Sequence, residues 1–301
     1  MLFEEFKRTG SINFVRFFIR RGLKIYPAYY LLLLFYAPFL FHKLGWTDFL
    51  FFQSYQAGAL GHAWSLSVEE HFYVLLPLLL ITGIKLSPNS EFRWLPWLTA
   101  IAVIACFVAR ELGGQSTIIQ THARCDALLI GVFTGWLYHF HSLRTKHKNW
   151  LLVLVPLGCS ILVMDSAGGL FKTPFASVSY LHWGLLANSI GFAALRIWAL
   201  NTPWVGMLLP LRKIGVYSYS IYLWHWPIAP LTQSWMKRGQ LGFWIYFCAS
   251  CAIGIGMAKL IEVPVLRFRD RVVPGQDRTS VKNYRSAAIQ LPRRLACASE
   301  H

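Results

Sequence analysis

What most constrains this sequence is a succession of apolar runs, each about 20 residues long and joined to the next by a short polar stretch. Lipid offers no water to an unpaired N–H or C=O, so segments of this kind must become helices or the strands of a closed barrel. The alternation of apolar and polar residues that marks barrel strands is missing. Windows of membrane-spanning length place eight spans, roughly at 25–42, 66–85, 94–110, 124–141, 150–164, 178–199, 214–231 and 241–261. Only 14% of residues are charged, against about 25% in an ordinary globular chain, too few to cover a water-facing surface. The expected fold is therefore an all-α integral membrane protein, multi-pass, with about eight transmembrane helices. Phe49, Leu50, Phe51 and Phe52 form a further apolar patch too short to cross, read as interfacial or re-entrant.

A net charge of +16 would draw a soluble chain to nucleic acid, but here topology explains it. With both termini cytoplasmic, only Lys43, Arg110, Arg124, Lys172, Lys237 and Arg238 of the 29 Lys and Arg residues fall outside, as the positive-inside rule requires. No nucleic-acid partner is needed. Residues 1–262 form the membrane domain. From Val263 to His301 the chain is basic and poor in aromatics, with Pro264, Pro274, Gly275 and Pro292 as breakers, which predicts a mostly disordered cytoplasmic tail. Cys106, Cys125, Cys159, Cys248 and Cys251 lie in apolar segments and Cys297 in the tail, and they read as small buried hydrophobes. No metal, flavin or nucleotide motif is present.

Ionisable side chains are expensive inside a bilayer, so those in or beside the spans are the candidates for function. Four clusters qualify. Phe17 to Pro27 carries Arg20, Arg21 and Lys24, and Arg21 and Lys24 share a helix face and suit a polyanion. They equally suit lipid headgroups at the inner leaflet. Gly61 to Tyr73 carries His62, Trp64, Glu69, Glu70, His71 and Tyr73. A capping box between Ser67 and Glu70 would explain Glu70 but not its neighbours. Thr121 to Asp126 carries Arg124 and Asp126, two apart and so facing different partners, with Glu69 or Glu70 the expected partner of Arg124. A structural ion pair joining two helices is the alternative. Gly131 and Gly135 predict close helix packing. The fourth cluster holds Tyr222, Trp224 and His225 before Pro227, either an acid or base beside sugar-stacking aromatics or an interfacial aromatic belt. Glu262 and Arg267 predict a salt bridge.

In order and spacing these clusters resemble those of acyltransferase family 3, the bacterial membrane O-acetylases of O-antigen, exopolysaccharide, peptidoglycan and nodulation factors. The resemblance runs from about Phe14 to Arg267. It rests on the Phe-x-x-Arg-Arg-x-x-basic-Ile-x-Pro run ending at Pro27, the Trp-Ser-Leu-Ser-Val-Glu-Glu-x-Phe-Tyr run from Trp64 to Tyr73, and Arg124-x-Asp126. The run from Ser218 to Pro227 and Ile261-Glu262-x-Pro264 complete it. It implies transfer of an acyl group, acetyl above all, from cytoplasmic acyl-CoA to a hydroxyl of a carbohydrate or lipid-linked glycan outside the bacterial inner membrane. Arg20, Arg21 and Lys24 would then serve the donor. His62, Glu69, Glu70, Arg124, Asp126 and His225 would be catalytic, and Trp64, Tyr73, Tyr222 and Trp224 would line the acceptor.

Two departures stand out. The family's Arg-x-x-Arg is here Arg21-Gly22-Leu23-Lys24, which keeps the charge and loses one planar fork. Family members carry ten spans, with an arginine and a histidine regarded as catalytic on the first, and the resemblance aligns the start of this chain with the end of the second. On that reading the 301 residues lack the histidine and transfer little by themselves. A transporter or flippase of lipid-linked glycan, or a non-catalytic membrane subunit, remains as an alternative.

Overall fold

The structure is a computed structural model and describes residues 2–87, 90–141, 178–201, 214–229 and 240–274. Every regular element among them is helical. The helices are α1 (Leu2–Thr9), α2 (Phe14–Leu40), α3 (Trp46–Phe49), α4 (Trp64–Leu86), α5 (Leu95–Gly113), α6 (Cys125–Phe140), α7 (Val178–Asn201), α8 (Ser218–Trp224), α9 (Gln240–Met257) and α10 (Val263–Val272). Among the described residues four segments are long and apolar enough to cross a membrane: Phe14–Leu40, Trp64–Leu86, Leu95–Gly113 and Leu241–Val272. Cys125–Phe140 and Gly184–Trp198 are shorter apolar helices. The expected span at 150–164 lies outside the described residues.

Three expectations need correction. The first apolar helix begins at Phe14, not near residue 25, because Arg and Lys are good helix formers and a falling hydropathy does not end a helix. Its 27 residues reach about 40 Å against a hydrocarbon core of about 30 Å, so the end carrying Arg16, Arg20, Arg21 and Lys24 can lie at headgroup level. The described part of the expected span at 214–231, residues 214–229, is not one continuous helix. Within it α8 is seven residues long and gives way to a 3₁₀ turn at Trp226–Ile228, where Pro227 supplies no N–H for a continued helix. Finally, the last helix does not stop at Glu262. It widens into a π-turn at Ala258–Glu262 and runs on as α10, so ten residues of the expected tail are helix. Pro264 lies in the first turn of α10, the position a proline tolerates best.

The chain divides into two compact units, one of residues 1–12 and 33–216 and the other of residues 13–32 and 217–301. In the first, α5 packs on α6, α6 on α7 and α4 on α6. α1 docks through Phe3, which meets Phe92 and Phe140 edge-on with ring centroids 5.3 and 5.8 Å apart, and through Lys7, which donates to the His139 carbonyl near the end of α6. Gly83 gives α4 its close approach to Trp94, since a Cβ there would sit 2.1 Å from the indole. In the second unit α8 packs on α9. Gly254 makes the approach, because its Cβ would lie 2.4 Å from the Ile221 Cα. The glycines expected to do this, Gly131 and Gly135, do not among the described residues, where nothing lies within 4 Å of a Cβ at Gly131 and Gly135 meets only the Phe3 ring at 3.8 Å. Spacing alone could not tell a packed glycine from one beside open space.

The apolar patch at 49–52 belongs to a loop tied from within. Asp48 is fully buried; its carboxylate accepts the Ala59 N–H at 3.0 and 3.1 Å and the Gly45 N–H at 3.2 Å. Trp46, Phe49, Leu50 and Phe52 point outward, an aromatic surface of the kind found at membrane interfaces. Asp48→Ala leaves these half-buried N–H groups without their acceptor and costs up to about 1–3 kcal/mol for each group so stranded. Thermal unfolding in detergent should show the loss, and an unchanged midpoint would mean that the loop is held by other contacts.

Candidate functional site

The candidate residues fall in both units. In the first, α4 begins at Trp64 with Ala63 at its N-cap and no side-chain cap, so the expected Ser67–Glu70 capping box does not form. Ser67 lies a full turn inside the helix, and its hydroxyl donates to the Phe51 carbonyl. It also meets the Ser54 Oγ at 3.2 Å, which meets the Thr121 Oγ1 at 3.2 Å, which meets the His71 Nδ1 at 2.7 Å. This hydrogen-bonded chain joins the 44–63 loop, α4 and the 3₁₀ turn at Thr121–Ala123. His62 is buried immediately before α4 and Glu70 is buried within it. Glu69, one turn from Tyr73, accepts the phenol O–H at 3.0 Å, a pairing that i, i+4 spacing on a helix allows.

Arg124 and Asp126 part company as their spacing requires; Asp126 finds its partner on another apolar helix, while Arg124 meets a different group from the one expected. The Arg124 guanidinium lies over the Trp64 ring, 5.3 Å from its centroid, instead of pairing with Glu69 or Glu70. Asp126 pairs with Arg110 of α5, Oδ2 to Nη1 at 2.9 Å, with the two side chains 3% and 0% exposed. Arg110 also donates to the Ala123 carbonyl at 2.7 Å. In the sequence Arg110 was one basic residue among several; no local pattern marks it as the partner of a residue 16 positions away. Beside these residues Tyr55 stacks on His122, with centroids 5.9 Å apart and planes 21° from parallel.

Between α6 and α7 runs a cavity of about 410 Å³. Ala127, Gly131 and Phe192 contribute apolar wall, and Arg124, Arg196 and Asn188 contribute polar groups. The open face of Gly131 thus borders space. Thr134 and Ser189 return their hydroxyls to the carbonyls one turn back, at 2.7 and 2.8 Å.

In the second unit Arg20 is held by Asp270 of α10 at 2.9 Å and donates to the Val273 carbonyl. Arg21 and Lys24 are half-buried on the same helix. Tyr219 donates to the Ile25 carbonyl at 2.7 Å, fixing α8 against α2. Glu262, turned inward by the π-turn, accepts the Ser220 hydroxyl at 2.7 Å, so the expected Glu262–Arg267 bridge gives way to a helix-to-helix hydrogen bond. His225 closes α8 with its Nδ1 at the Tyr222 carbonyl, and the two rings lie 5.7 Å apart. Trp224 is buried in the packing while Tyr222 is half-buried, so of these two aromatics Tyr222 is the better placed to meet a ligand. Among the described residues no group of three or more His, Cys, Asp or Glu is arranged to hold a metal.

Comparison with known proteins gives these residues a context. The chain is similar to the O-acetyltransferase OatA of Staphylococcus aureus strain NCTC 8325 / PS 47, 24% identical over 305 residues, covering 88% of this chain and 49% of that protein. The same figures hold for OatA of strain COL. The chain thus spans about half the length of these relatives. No solved structure matches it. Residues 2–261 match the model of the acyltransferase domain of family 3, and since that match takes in most of the sequence, the chain belongs to acyltransferase family 3.

Proposed function

We propose that the protein is a multi-pass membrane O-acyltransferase that moves an acyl group, acetyl above all, from acyl-CoA to a hydroxyl of a carbohydrate or lipid-linked glycan on the opposite side of the bacterial inner membrane. The observation that carries this reading is the Arg124 guanidinium held over Trp64 at the start of α6. A charge so placed suits the oxyanion of acyl transfer better than it suits helix packing, which Arg110 and Asp126 already provide. The topology behind the proposal is the eight-span arrangement, with both ends cytoplasmic and the basic residues concentrated inside.

In the reaction the acceptor hydroxyl attacks the thioester carbonyl and loses its proton to a base. The carbonyl oxygen takes negative charge, and collapse expels the coenzyme A thiolate. Glu69, Glu70, His62 and His225 are the proposed proton carriers, and Arg124 the proposed oxyanion donor. Arg21 and Lys24 are proposed to hold the donor's phosphates, Arg20 supporting them from its pair with Asp270, while Tyr73 and Tyr222 face the acceptor. Asp126 acts by holding α6 to α5. Membranes containing the protein should release coenzyme A from acetyl-CoA and label the acceptor, with His62 or His225 as the base in place of the family's histidine and contrary to the expectation of little transfer. Removing one oxyanion donor typically costs about 10²–10³-fold in rate, so Arg124→Ala should lower kcat by that factor with little change in donor KM, whereas Arg21→Ala should raise donor KM. Wild-type rates from Arg124→Ala would end this assignment. Binding of glycan without coenzyme A release would favour a transporter.

A further inference from the structure

We infer that Cys106 and Cys125 are a disulfide-forming pair, a modification site that joins α5 covalently to the first residue of α6, next to Arg124. Their sulfurs lie 3.3 Å apart although the residues belong to different helices. The approach is built by the surrounding backbone. Cys106 is one turn from Arg110 on α5, and Cys125 directly precedes Asp126 on α6. The buried Arg110–Asp126 pair therefore sets the register of the two helices at the level of the thiols. On the other side, the Cys106 thiol donates to the His122 carbonyl at 3.2 Å, which fixes the sulfur in place. A disulfide bond measures about 2.05 Å, so closure asks for an approach of little more than about 1 Å, within reach of side-chain rotation.

The two thiols differ in access. Cys106 is fully buried and Cys125 half-buried, which sets the order of steps. The Cys125 thiolate attacks one sulfur of a disulfide oxidant and releases the first oxidant thiolate, leaving a mixed disulfide at Cys125. The Cys106 thiolate then attacks the Cys125 sulfur and releases the second. Two protein thiols lose two electrons, one oxidant disulfide gains them, and the two thiol protons pass to the departing thiolates. The bond closes a loop through residues 107–124, which carries Thr121, His122 and Arg124, so oxidation restrains the segment that presents Arg124. Under the topology proposed above this end faces outward, away from the reducing pools of the cytosol. This outward facing rests on the proposed function; the proximity of the thiols does not.

The purified full chain, incubated with oxidised glutathione, then alkylated, unfolded and cut with trypsin, gives a direct answer. Cleavage after Arg93, Arg110, Arg124 and Arg144 leaves Cys106 in peptide 94–110 and Cys125 in peptide 125–144. The expected result is one joined species of the two peptides, lost on reduction with dithiothreitol and absent from Cys106→Ser and from Cys125→Ser. Recovery of both wild-type peptides unjoined, whether alkylated or carrying glutathione, would overturn the inference. Measuring coenzyme A release on the same sample keeps the two proposals apart: joined peptides without release sink the transferase reading alone, and release without joined peptides sinks this one alone.

Discussion

Arg110→Ala is expected to cost about 3–5 kcal/mol, because it strands the Asp126 carboxylate in a site from which water is excluded. It also takes the donor from the Ala123 carbonyl. Arg110→Met combined with Asp126→Leu should recover most of that stability, since replacing a buried ion pair by apolar groups of similar volume is often close to neutral. Thermal unfolding in detergent, followed through tryptophan fluorescence, compares the three proteins. If Arg110→Ala melts with wild type, the pair does not hold α5 to α6. The double variant has a second use: retention of acyl transfer would confirm Asp126 as a positioning residue, while its loss in a stable double variant would return Asp126 to the chemistry.

The second large effect belongs to Gly254. An alanine methyl there would lie 2.4 Å from the Ile221 Cα and 2.8 Å from its backbone nitrogen, and neither atom can rotate away. α8 and α9 must separate, and overpacking of this kind costs about 1–3 kcal/mol even where side chains can yield. The displaced helix carries Ser220 and Tyr222 and is capped by His225, so the Ser220–Glu262 hydrogen bond should weaken along with the packing. Gly256→Ala is the matched control, on the same helix and with nothing among the described residues within 4 Å of its Cβ. The midpoint of Gly254→Ala should fall well below that of Gly256→Ala. Equal midpoints would mean that α8 and α9 are not in close contact.

The periodicity of the sequence identified the helices better than it identified their ends or partners. Hydropathy reads where a helix is apolar, and so it missed the charged first turns of α2 and the continuation of the last helix beyond Glu262. The partner of Asp126 was hidden for another reason: spacing restricts a side chain to one face, while the neighbour on that face comes from a distant part of the chain. The same holds for the hydrogen-bonded run from Ser67 to His71, whose members Ser54 and Thr121 carry no local signal. Even within one helix the sequence was a poor guide to partners: the capping box read between Ser67 and Glu70 does not form, while the Glu69–Tyr73 pair, at an i, i+4 spacing that permits it, was not read. Cys106 and Cys125 looked like separate apolar fillers because 19 positions of sequence say nothing about a 3.3 Å separation.

The π-turn at Ala258–Glu262 sets the angular phase of everything after it. A wide turn takes one residue more than an α-turn, and each residue of an α-helix turns the chain by about 100°. Deleting Leu260 would let the helix close up as regular α, with α10 rotated by about that angle relative to α9. Asp270 would swing off the face on which it meets Arg20, and Glu262 off the face on which it meets Ser220. One residue of chain length thus decides whether two ends of the same helix address their neighbours together, so this segment should tolerate many substitutions of type and very few changes of length.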